Sequence, residues 1–109
     1  MFTDPGNLFH DLPQNSPAEV TTRLLAATNL RIERIVSTGQ ASPEGFWYDQ
    51  DWSEWVLLLA GEAELRLEGE ADPVQLMAGS WVHLPVHQRH RVEWTSTDPP
   101  AVWLAVHYR

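Results

Sequence analysis

Apolar and polar positions alternate along much of this chain. From Glu62 to Glu68, Ala63, Leu65 and Leu67 share one face, with Glu64, Arg66 and Glu68 on the other. That period of two marks a half-buried strand. Leu30 to Thr38 repeats it: Leu30, Ile32, Arg34 and Val36 oppose Arg31, Glu33, Ile35 and Ser37, and Gly39 ends the run. Further strands are predicted over Glu54–Leu59, Val74–Met77, Ser80–Leu84, His90–Thr95 and Ala101–Tyr108, divided by Ala60-Gly61, Gly69 to Pro73, Ala78-Gly79 and Pro85. Glu19 to Ala27 is ambiguous: Val20-Thr21-Thr22 is β-branched, whereas Leu24-Leu25-Ala26-Ala27 suits a helix. Turn signals about every 8–12 residues predict an all-β sandwich or closed jelly roll. Pro5, Pro13 and Pro17 make residues 1–18 an irregular arm, which Leu8, Phe9 and Leu12 would pin down, and leave residues 19–109 for a barrel.

Composition narrows the chemistry. A chain of 109 residues is one domain. With no cysteine, disulfides, thiolate metal sites and thiol nucleophiles are excluded; with no lysine, so are Schiff bases and a P-loop. A net charge of −8 argues against nucleic acid. No apolar run is long enough for a membrane span and the opening residues lack a signal-peptide pattern, so the expected location is the cytoplasm. Six tryptophans suit core and interface packing or an aromatic-lined pocket.

Histidine is the informative residue. His83, His87 and His90 fall within eight positions, around Pro85, and neutral imidazole is a common metal ligand. His107 lies on the last strand, in register with Trp103 and Ala105; both faces of that strand are largely apolar, so its inward side stays open. Glu54 shares a face with Val56 and Leu58, the polar end of an apolar row, as a ligand, a buried base or a strand-end carboxylate would be. Along the strand from His90, period two groups His90, Val92 and Trp94, so Trp94 would line the pocket if His90 points inward. Tyr48 and Gln50, in an aromatic-rich stretch from Gly45 to Ser53, could hydrogen-bond a ligand.

Residues 44–109 resemble the cupin superfamily. Gly79, Pro85 and His90 match the spacing of the second cupin motif, with His87 in place of its second glycine and Trp94 in place of its asparagine. Glu54 and Gly61 match the end of the first motif, but Tyr48 and Gln50 occupy the places of its two histidines. The resemblance implies a single-domain cupin jelly-roll β-barrel that pairs as a homodimer. It also implies one divalent metal ion (Fe, Ni, Mn or Zn), for which this chain offers His90, His87, His107 and Glu54. The expected function is a metal-binding cupin that acts on or senses a small molecule by oxidation, isomerisation or lyase chemistry. The alternatives are a metal-free ligand binder, with Tyr48, Gln50 and Trp94 lining its pocket, and a non-catalytic barrel that binds a partner.

Overall fold

The computed structural model describes residues 4–109 and is all-β. Its strands are β1 (Val20–Ala27), β2 (Leu30–Ser37), β3 (Ser53–Ala60), β4 (Ala63–Leu67), β5 (Val74–Leu76), β6 (Trp81–Leu84), β7 (His90–Thr95) and β8 (Ala101–Tyr108). The ambiguous segment after the arm is therefore a strand. Antiparallel pairing with β2 from Val20 to Ala27 overrides the local helix preference of its second half. None of the described residues forms a helix long and apolar enough to cross a membrane.

Five strands, in the order β1-β2-β8-β3-β6, face three, in the order β5-β4-β7. Val56, Leu58, Leu65, Leu76, Leu84 and Trp103 are buried in the core cluster, with the alanines 63, 101 and 105 where space is tightest. The open register of β8 is thereby settled: Trp103, Ala105 and His107 share the buried inner side, paired with Leu58, Val56 and Glu54 of β3.

On β7, Ala63 pairs with Thr95 and Glu64 with Trp94, but Leu65 pairs with Val92, so β7 holds one extra residue, Glu93. Such a bulge shifts every later side chain to the other face. Trp94 is consequently not on the His90 face. It is 48 % exposed, and Thr95 turns inward instead, donating its hydroxyl to Gln40 O at 2.6 Å.

The outer face of the five-stranded sheet is unusual. By register it presents Leu25, Ile32, Leu57, Val106, Trp55 and Trp81 among others, and of the charged types only Arg34 and His83. None of the fifteen acidic residues is on it. Part of this face is strapped by the arm: Arg34 Nη1 donates to Leu8 O at 3.2 Å and His10 O at 2.6 Å, and Gln40 Nε2 donates to Ser16 O at 2.7 Å. Phe9 contributes little to the strap and stays half exposed.

Gly61 makes the β3–β4 turn at φ +78°. A Cβ there would lie 2.5 Å from Pro100 O and 2.8 Å from Ala101 Cα, both backbone atoms. Gly61→Ala combines left-handed strain with that clash, and is expected to destabilise the fold by about 2–3 kcal/mol. It should lower the urea midpoint at unchanged m-value.

Candidate functional site

The cavity between the sheets has a volume of about 210 Å³. Its polarity follows strand register. The outermost inward-facing rung runs Arg31, His107, Glu54, Leu84 across β2, β8, β3 and β6. The next runs Glu33, Ala105, Val56, Val82, and the third is Ile35, Trp103 and Leu58. On the facing sheet His90 leads and Val92 follows. Polar groups thus gather at one end of the cavity and apolar groups fill the other.

At the polar end Glu54 stands between two imidazoles. Its Oε1 is 3.8 Å from His90 Nε2 and its Oε2 is 3.9 Å from His107 Nε2, while Glu33 Oε1 is 3.3 Å from His107 Nε2. Burial pushes the Glu54 carboxyl up to about 7; Glu33 and Glu19 add to the rise and Arg31 opposes it. Burial holds both imidazoles below their ordinary range: a hydrogen bond to Gln88 O opposes this at His90, and at His107 Arg31 reinforces it while Glu33 opposes. At neutral pH the histidines are therefore uncharged, and these contacts are not ion pairs. His90 Nδ1 lies 2.9 Å from Gln88 O, and a carbonyl can only accept, so Nδ1 carries the proton. The lone pair of Nε2 then faces Glu54, the tautomer a metal ligand needs.

Tyr48 and Gln50 also line the cavity. Tyr48 pairs with His90 through two backbone hydrogen bonds of 2.7 and 3.2 Å, and its ring stacks on the imidazole at 5.2 Å. Burial, with Glu19 and Glu54, raises its phenol above the ordinary range.

The other three histidines lie elsewhere. His87 is exposed, bonds Asp49 Oδ1 through Nδ1 at 2.7 Å, and does not join His90. It holds φ +63° at the place of the second motif's glycine, and that left-handed turn carries its side chain away from the cavity. His83 is on the outer face, bonded to Tyr108 Oη at 2.7 Å. His10 is in the arm and exposed.

Sequence reasoning missed Glu19, Arg31, Glu33 and Trp103, all of which line the cavity. The signal for two of them was the polar face of β2, on which Arg31 and Glu33 alternate with the apolar set.

The donor types here, two imidazoles and two carboxylates, suit a first-row divalent ion. An ion with ligands at about 2.1 Å would hold neighbouring ligand atoms about 3.0–3.4 Å apart. Glu33 and His107 meet that spacing, and Glu54 stands about half an ångström beyond it on either side. As they stand, no three or more such side chains among the described residues are close enough to hold an ion.

A family model described as a cupin domain matches residues 34–107. A crystal structure from Ralstonia eutropha JMP134, provisionally named a mannose-6-phosphate isomerase, is 49 % identical, with a TM-score of 0.94 over 97 % of this chain and 98 % of that one. An RmlC-like cupin from Desulfovibrio desulfuricans superposes at TM-score 0.74 and 17 % identity over 97 % of both chains. A DMSP lyase from Ruegeria pomeroyi DSS-3 does so at 0.64 and 22 %, over 84 % of this chain and 47 % of that one. The last two show likeness of fold. No curated protein matches.

Proposed function

The chain belongs to the cupin family, and from that premise we propose that its cavity is a small-molecule site in which His90, His107 and Glu54 hold one divalent metal ion. The convergence of two uncharged imidazoles on one buried carboxyl carries this reading. Bound there, Fe, Ni, Mn or Zn would supply Lewis-acid polarisation of a ligand oxygen. Tyr48 and Gln50 orient the ligand from the 47–52 segment, which His87 N–H clamps through Gln50 O at 2.8 Å. Glu33 faces the cavity beside His107 and is placed to carry a proton to or from the ligand. With the isomerase name of the 49 % identical Ralstonia protein, this supports proton-transfer isomerisation as the reaction class.

Protein purified without a nickel column should carry, or take up, about one divalent ion per subunit, and chelation should lower its melting temperature because the ion binds only the folded barrel. Metal-free protein whose melting is indifferent to added ions and to EDTA would overturn this reading. It would leave the metal-free ligand binder, which Tyr48 and Gln50 at the two motif-histidine places favour.

We further propose that the acid-free outer sheet face pairs two copies of the chain. The chain exposes 6898 Å², against about 6100 Å² for a compact monomer of its mass. A standard interface takes about 800 Å² from each partner. Trp81, 61 % exposed beside Trp55 at 6.0 Å, is its aromatic anchor. Light scattering should give twice the 12.4 kDa chain mass, and Trp81→Glu should halve it. A wild-type monomer at micromolar concentration overturns the pairing.

A further inference from the structure

Size, charge and polarity of the cavity together select a class of ligand. A cavity of about 150 Å³ holds one benzene molecule. At about 210 Å³ this one, half open to solvent, encloses about eight non-hydrogen atoms. A hexose phosphate has roughly twice as many.

Charge points the same way. Glu19, Glu33 and Glu54 face the cavity against a single cation, Arg31. That guanidinium has Nε 3.8 Å from Glu33 Oε2, too long for a hydrogen bond, and Cζ 5.1 Å from the centre of the Trp52 ring. A phosphate dianion would meet three carboxyl groups against one guanidinium, whereas an uncharged ligand adds no like charge to that set.

Polarity is graded rather than uniform. The rung of Arg31, His107 and Glu54 gives way to Ile35, Val56 and Trp103 along the same strands, faced by Leu65 and Val92. A polyol with a hydroxyl on every carbon would strand several of them against this wall without partners, at a cost in binding. A hydrocarbon tail would gain by burial in the same place.

We propose that the ligand is a short, uncharged, unphosphorylated compound of about eight non-hydrogen atoms, with vicinal hydroxyl or carbonyl oxygens at one end and an alkyl tail at the other. This rests on the cavity being the metal-bearing small-molecule site proposed above. Its oxygens lie at the Glu54–His90–His107 end, within reach of Tyr48 and Gln50, and its tail lies against Trp103 and Val92.

Three probes separate the terms: 1,2-hexanediol, erythritol of similar size with hydroxyls throughout, and mannose 6-phosphate. Titrated calorimetrically into metal-loaded protein, the diol should bind at least tenfold more tightly than either of the others. Val92→Phe, which fills the apolar end, should abolish binding. Should that variant not fold, diol-induced NMR shifts at Val56, Leu65, Val92 and Trp103 of the wild type report the same placement. Tightest binding by mannose 6-phosphate or erythritol overturns the ligand class and leaves the site standing. Binding of none of the three overturns both. Diol binding that survives EDTA supports the ligand class and overturns the metal.

Discussion

His90→Ala is expected to lower affinity for a divalent ion by at least about a hundredfold, because even losing an outer hydrogen-bond partner of a ligand costs about 10–100-fold. His90 is buried, its Nδ1 proton is committed to Gln88 O, and its only free lone pair faces Glu54. Alanine removes that lone pair. The control is His87→Ala. His87 lies three residues away and has the same chemistry, but its side chain is 65 % exposed and bonded to Asp49. Metal titration monitored by a competing chelator should show no change in affinity for His87→Ala. Equal losses from the two variants would place the ion in the turn rather than in the cavity.

The second large effect is on stability against pH, measured on protein kept metal-free with EDTA. The Glu54 carboxyl is raised in the folded state from 4.5 to about 7. Between those values the native state holds a proton that the unfolded chain releases. Stability from this group is full below about 4.5 and declines as pH rises through about 7. His90 and His107 act in the opposite sense. Their lowered folded values mean that the unfolded chain takes up protons first, so stability falls as pH drops below about 6.5. Comparison with Glu54→Gln, which keeps the shape of the protonated acid, isolates the carboxyl because the histidine contributions largely cancel. From pH 5 to pH 8 the variant should gain on the wild type by on the order of 2–3 kcal/mol. Chemical denaturation at both pH values gives the difference, and a gap that stays constant with pH would show that Glu54 ionises normally in the folded protein.

Much of the barrel was legible because period-two alternation is imposed by the pleat itself. The bounds predicted for β7 and β8 coincide with those observed, and β4 lies within its alternating run. Motif spacing made Glu54 and His90 candidates, and both line the cavity. Three other features were not legible. Trp94 was assigned to the His90 face by a strict period that one inserted residue, Glu93, breaks; nothing in the residue types marks a bulge. His87 neighbours His90 in sequence, but its left-handed backbone sends it outward. Most instructive is β2. The usual expectation turns Leu30, Ile32 and Val36 inward and leaves Arg31 and Glu33 in water. Here the apolar set faces outward, where the arm is strapped across β2 through Arg34, and the charged set lines the cavity. Alternation identifies two faces of a strand; which face is the inside depends on what else covers the sheet.

The position of β1 at the end of its sheet bears on how anything enters. The strand is paired along one edge only and is exposed at every residue after Val20. Opening it breaks hydrogen bonds to β2 but uncovers little apolar surface, so it costs far less than unfolding the barrel. β8 and β3, held on both edges at the middle of the sheet, come apart only with the whole. β1 is thus held less firmly than the strands at the middle of its sheet. Thr21 of that strand and Glu19 just before it line the cavity. Each excursion of β1 lowers part of the cavity wall, and the lifetime of a bound ligand is then tied to how often one edge strand lets go of its neighbour.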